Sequence, residues 1–201
     1  MKKNLLTLLL IFVISPLFSQ VFEIFFDKDF STYKPANQSM GVRASIGFDG
    51  WADNLIVKAN FGWAKASPTP KLNVKNIYQK FEYRISAHYQ RAFKENWLFQ
   101  VGGGLSFVNL KNNKTFSEDS VNTIGFSTLV DNGYFIGVSV PISLHYYIGR
   151  KVGLGISATP MYNFLVANRC SNSEYAALFD KNLIFVQLEA GLIFKFSAEK
   201  E

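Results

Sequence analysis

The chain has a single cysteine, two histidines and six prolines among 201 residues. One cysteine excludes an intramolecular disulfide and any cysteine-based metal site. Cys170 sits in the polar run Asn168, Arg169, Ser171, Asn172 and Ser173 and reads as an incidental loop thiol. Past the opening segment no apolar stretch approaches the ~20 residues that a membrane-spanning helix requires, which excludes a helical membrane protein. The basic residues form no block and no helical stripe, so nothing argues for nucleic acid as a partner. Zinc and EF-hand spacings are missing. Gly102-Gly103-Gly104 lies inside a strand pattern rather than a phosphate loop, where glycines permit tight curvature or relieve crowding. No cofactor is implied. Asp27-Lys28-Asp29 and Glu118-Asp119 read as solvated loop or rim acids rather than metal ligands.

The opening segment has its own logic. Lys2 and Lys3 precede an apolar run from Leu5 to Phe18 that ends at Ser19-Gln20. A short basic start, an apolar core and a small residue at the cut site make a secretory signal peptide, residues 1–19, with residues 20–201 as the exported domain. A membrane anchor is the alternative, but the run is short for a helical span. No cysteine follows it, which argues against a lipid-anchored form. Removal of the two lysines lowers the formal charge from +6 to +4.

The strongest signal is an alternation in twos from Gly133 to Phe196. In Val152–Val166 one parity carries Val152, Leu154, Ile156, Ala158, Pro160, Tyr162, Phe164 and Val166, and the other Gly153, Gly155, Ser157, Thr159, Met161, Asn163 and Leu165. Successive side chains of a strand point to opposite faces, so one face is bulky and apolar and the other small or polar. Applied along the chain, this period gives eight strands, at roughly 21–32, 40–48, 54–65, 78–93, 97–110, 133–148, 152–166 and 183–196. Asp27, Lys28 and Asp29 interrupt the pattern of the first. The connections alternate: Asp49–Asp53, Lys94–Asn96 and Gly149–Lys151 are short, whereas Ala66–Ile77, Lys111–Asn132 and Ala167–Asn182 are long and polar. Short periplasmic turns, longer extracellular loops and an even strand number describe an all-β, eight-stranded antiparallel up-and-down transmembrane β-barrel. Closure leaves no strand edge, as lipid demands.

A soluble barrel of the lipocalin kind would invert the two faces. Size decides against it, because an eight-stranded interior is barely wide enough for the side chains that fill it. Inversion would put Phe48, Phe61, Trp63, Tyr83, Phe99, Phe107, Tyr146, Tyr162, Phe164 and Phe194 inside together, whereas Gln100, Gly102, Gly104 and Ser106 fit. Rings also collect at both ends of the apolar band. Trp97, Phe99, Tyr146 and Phe196 lie near the short turns; Trp63, Phe81, Tyr83, Phe107, Tyr134 and Phe164 lie near the long loops.

With the signal ending Phe18-Ser19-Gln20, the eight strands and a last strand Val186–Phe196 (VQLEAGLIFKF), the chain resembles the small outer-membrane β-barrel proteins of Bacteroidota, which share architecture with the OmpX and OmpA barrels. The resemblance implies insertion by the barrel-insertion machinery, which reads an aromatic-ended final strand. Here Ser197 to Glu201 extend beyond Phe196, a departure from that signature. PorT-like relatives are associated with protein secretion; no motif in this chain singles that role out.

Parity sends Glu23, Asp27, Arg43, Lys58, Glu82, Arg84, His88, His145, Gln187, Glu189 and Lys195 inward. A narrow lumen of low dielectric tolerates such charges only when they are paired, so the expectation is a salt-bridge network that fills the barrel, with an ion or proton path as the alternative. Ser86-Ala87-His88 and Ser143-Leu144-His145 offer the parts of an acyl-hydrolase triad, with Glu189 as the acid. Both pairs point inward, away from lipid, and neighbours two apart on a strand stand ~6.5–7 Å apart at the backbone, beyond hydrogen-bond reach unless the side chains lean together. The expected protein is therefore a non-enzymatic barrel of a Gram-negative outer membrane, in contact with its lipid. It would act structurally or bind an extracellular or periplasmic partner, chiefly through the loops at 66–77, 111–132 and 167–182. A narrow channel for small ligands is the second expectation, and a lipid-modifying acyl hydrolase using His88 or His145 the third.

Overall fold

The structure, a computed structural model, describes residues 19–32, 39–52, 54–66, 74–116, 128–170 and 182–196. The expected signal residues 1–18 lie outside them, as do the middles of the three long loops and the tail beyond Phe196. Nine strands follow in chain order: β1 (Ser19–Ser31), β2 (Met40–Ala52), β3 (Leu55–Ala66), β4 (Val74–Lys94), β5 (Trp97–Phe116), β6 (Thr128–Ser139), β7 (Ile142–Ile148), β8 (Val152–Cys170) and β9 (Leu183–Phe196). Every pairing is antiparallel, and β1 bonds both β2 and β9, so the sheet closes on itself.

β6 and β7 are two halves of one wall position. Both pair with β5 on one side and β8 on the other, in a register that continues unbroken across Val140-Pro141. The single strand expected over 133–148 is thus interrupted, because Pro141 has no N–H to give the ladder. The barrel is accordingly a ring of eight up-and-down strands, as the alternation implied.

β1 runs through Asp27-Lys28-Asp29, as the strand expected over 21–32 does despite its broken pattern, with Asp27 opposite Glu189 and Asp29 opposite Gln187 on β9. Other boundaries differ from expectation. β4, β5, β6 and β8 extend several residues past their expected long-loop ends: Val74 pairs with Phe116, and Thr115 with Thr128. Beyond the apolar band a ladder is held by backbone bonds alone, so the hydrophobic period that marks a strand disappears there while the strand continues.

The short turns are tight. Asn54 (φ 63°) and Gly149 (φ 81°) adopt the left-handed conformation that reverses the chain there. The outward face is apolar over its middle, with Phe26, Ile156, Phe164 and Leu192 at 72, 58, 50 and 46% exposure. Ring pairs mark its margins: Trp97 and Tyr146 at 4.9 Å near the short turns, Tyr162 and Phe164 at 4.8 Å toward the long loops.

Candidate functional site

The lumen is layered. Toward the long loops, Tyr78, Val108, Leu110, Phe135, Met161 and Phe185 form one apolar cluster. Toward the short turns, Val21, Phe25, Ile56 and Ile193 form another, with Tyr147 against it. Between them lies the charged layer, its members buried to within a few per cent.

Arg43 on β2 is the hub. Its guanidinium bonds Glu189 of β9 and stands 3.8 Å from Asp27 on β1 and 3.7 Å from Glu82 on β4. Arg84 joins the same carboxylates, 3.6 Å from Glu82 and 3.7 Å from Glu189. Lower in the barrel, the Lys58 ammonium donates to Glu23 at 2.5 Å and to Gln100 at 2.8 Å, and Ser45 donates to Glu23 at 2.6 Å. His145 is fully buried, with Nε2 3.8 Å from a Glu23 oxygen. Gln187 donates to Asp27. The eleven residues expected inside therefore share one face, and ten of them lie in or against this layer. Lys195 stands apart, half-buried at the short-turn end beyond Ile193, and enters none of the described ion pairs.

Sequence reasoning missed two central members. Lys80 donates to Asp29 at 2.7 Å and stands 3.2 Å from Glu82. Asp29 also accepts from Ser39 at 2.9 Å. Asp29 is fully buried and not a rim acid: it lies within the expected first strand, on the inward parity of Glu23 and Asp27. Parity could have found Lys80, which shares a face of β4 with Glu82 and Arg84.

The two Ser-x-His pairs behave differently. Ser86 Oγ lies 2.8 Å from His88 Nε2, so the backbone spacing that argued against contact is bridged by the side chains leaning together. Room for this comes from β5: a Cβ at Gly102 would sit 2.9 Å from His88 Cγ, and one at Gly104 would sit 2.6 Å from Ser86 Cβ. Among the described residues no group orients His88 Nδ1, and Glu189 is held by Arg43 and Arg84. Ser143 instead donates to Gln100 at 3.3 Å and makes no bond to His145. A cavity of about 10 Å³, bordered by Glu23, Lys58, Arg84, His88, His145 and Glu189, separates these groups. That is space for about one water molecule, not for an acyl chain.

No family model and no curated protein sequence matches the chain. Solved structures do. Neisserial surface protein A is similar at 18% identity with a TM-score of 0.57, covering 89% of this chain and 97% of its own. A major outer membrane protein from Thermus thermophilus matches at 9% identity and TM-score 0.60, covering 89% and 99%. Ail, the attachment invasion locus protein of Yersinia pestis, matches at 11% identity and TM-score 0.52, covering 88% and 97%. The likeness is one of fold: this chain has the architecture of the small OmpX- and OmpA-like outer-membrane β-barrels.

Proposed function

We propose that the chain is an integral outer-membrane barrel with a closed lumen, acting as a structural element of the envelope or through partners that bind its long loops. A closed barrel with large apolar side chains exposed around its waist is matched to hydrocarbon rather than water. The observation that carries the closed lumen is its layering: two apolar clusters cap a layer in which five carboxylates meet four permanent cations. Hydrated ions crossing it would have to part ion pairs that neither cap replaces. The export signal at residues 1–19 and the kinship with Bacteroidota barrels belong to the same proposal and rest on the sequence pattern.

Reconstitution in planar bilayers tests it. The expected result is no steady single-channel current; a steady current abolished by Arg84→Gln would replace the closed lumen with a narrow channel. Affinity capture from intact membranes, with and without residues 117–127, tests the role of the loops. A partner retained equally without that loop would remove it from recognition.

One observation favours a second reading, acyl transfer: the 2.8 Å contact between Ser86 Oγ and His88 Nε2. Lipid A compared by mass spectrometry in cells with and without the protein decides it. A changed acylation pattern that His88→Ala reverses would make this an enzyme.

A further inference from the structure

The outer wall carries a concavity with a chemically distinct mouth. A groove of about 410 Å³ runs over β5, β7, β8 and β9, walled by Phe99, Ile142, Leu144, Ile156 and Leu188, with the methyl of Ala158 in its floor. Its volume falls in the range of small-molecule sites, and its lining is almost wholly apolar. Strand register fixes its direction. Phe99 is two residues from Trp97, at the short-turn rim, and pairs with Leu144; Ile142 pairs with Ala158, and Ala158 with Leu188. The groove therefore climbs obliquely from the short-turn margin toward the middle of the apolar band.

The mouth is basic. Arg91 on β4 is directly opposite Phe99, is exposed, and shares its outward face. Lys94 follows at the end of the same strand. The β4–β5 turn abuts the strand leading to the next one, Tyr147 N–H donating to Asn96 at 2.8 Å, and that next turn holds exposed Arg150 and Lys151. Four exposed cations thus face one exposed acid, Glu95, along this arc. Phe93, Trp97 and Tyr146, with ring centroids 6.1 and 4.9 Å apart in succession, stand between the groove and the turn cations Lys94, Arg150 and Lys151, while Arg91 flanks the groove wall itself beside Phe99. Cations, then amphipathic rings, then an apolar trough is the order met along a phospholipid from phosphate to acyl chain.

We propose that this groove holds one anionic phospholipid of the periplasmic leaflet, its phosphate against Arg91 and the neighbouring turn cations and one acyl chain over Ala158. The inference rests on the outer-membrane reading, which sets the short turns on the periplasmic side. Charge complementarity selects the headgroup; the groove selects the chain.

Native mass spectrometry of the protein released from nanodiscs containing equal phosphatidylglycerol and phosphatidylethanolamine tests it. One phosphatidylglycerol per barrel is expected to remain bound. Arg91→Gln is expected to lower that retention roughly fivefold, as for one basic residue at an anionic surface. Ala158→Phe, which fills the floor, should abolish it. Arg169→Gln, an exposed cation at the opposite end, should leave it unchanged. Equal retention of both lipids, or phosphatidylglycerol held as well by Arg91→Gln as by the parent, would overturn the lipid site while the membrane reading stands. Failure of the chain to enter the nanodisc would overturn both.

Discussion

β9 and β1 to β4 supply every side chain of the lumenal ion pairs except His145, whereas β5 to β8 turn mainly Gly, Ser, Thr, Asn and Gln toward the same space. The two arcs are complementary in volume. Long charged side chains reach inward from one arc, and the other stays shallow to receive them. Gly155 on β8 makes the point at the short-turn end, where a Cβ would lie 2.8 Å from Ile193 Cδ1 and 3.1 Å from the Phe25 ring, both on the opposite arc. The division also separates two kinds of fragility. A charged arc is damaged by subtraction, which strands a partner in low dielectric; a shallow arc is damaged by addition.

The largest effect should come from subtraction at the hub. Arg43→Met leaves Glu189, Asp27 and Glu82 without their shared cation, and breaking a buried pair from one side costs about 3–5 kcal/mol. Urea unfolding in detergent micelles measures it. The same scan on Ser157→Ala, in the shallow arc, should shift stability by less than about 1 kcal/mol. Equal losses at the two positions would erase the distinction between the arcs.

Addition is the converse test. Gly102→Leu drives a side chain into His88 and the β4 backbone, with an expected cost of about 1–3 kcal/mol. Gly103→Leu, one residue away on the outward face, meets nothing within 4 Å and should be tolerated. A destabilisation as large at Gly103 as at Gly102 would point to backbone flexibility rather than lumenal crowding. A finer measurement concerns whether the charged arc acts as pairs or as a collective. Glu23→Gln and Lys58→Met, alone and together, should show a coupling of about 0.5–3 kcal/mol. Coupling of Glu23→Gln to Arg43→Met as strong as to Lys58→Met would make the layer one unit.

Much of this asymmetry was open to reading from the sequence, and the reasons it stopped short are physical. A period of two assigns a residue to a face, so Arg43, Glu82 and Glu189 could be sent inward without knowing which strands adjoin. It says nothing of height along the barrel, and the apolar caps were therefore invisible: Phe25 and Phe185 share the inward parity of the charges but sit in different layers. Nor can parity see a strand past the apolar band, so the expected β4 and β5 stop short of their long-loop ends, whereas Asp29 lies inside the expected first strand on the parity of Asp27 and was open to the same reading. The Ser86–His88 contact turns on side-chain lean, which backbone spacing alone leaves open. That lean depends on Gly102 and Gly104 across the strand pair.

The smallest expected effect lies where the shallow arc is itself weakened. Val140 N–H donates to the Pro160 carbonyl at 3.0 Å, and Gly102 N–H to the Pro141 carbonyl at 2.9 Å. In an antiparallel ladder each such pair should return a second bond, but Pro160 and Pro141 have no N–H to donate. The carbonyls of Val140 and Gly102 consequently lack the donor their facing strands would supply, in the one stretch of wall where β6 gives way to β7. Pro160 faces outward, so Pro160→Val can restore a donor without touching the lumen, and valine suits a strand. A restored bond contributes about 0.5–1.5 kcal/mol. Loss of proline's restriction on the unfolded chain offsets about 0.4–1 kcal/mol of that. The net gain should be below about 1 kcal/mol, the two contributions nearly cancelling, with the new amide at position 160 protected from hydrogen exchange as strongly as its neighbours in β8. A fast-exchanging amide there would mean that the seam is held open by the packing of β5 to β8 rather than by the missing donors, and that the shallow arc yields for reasons of shape instead of bonding.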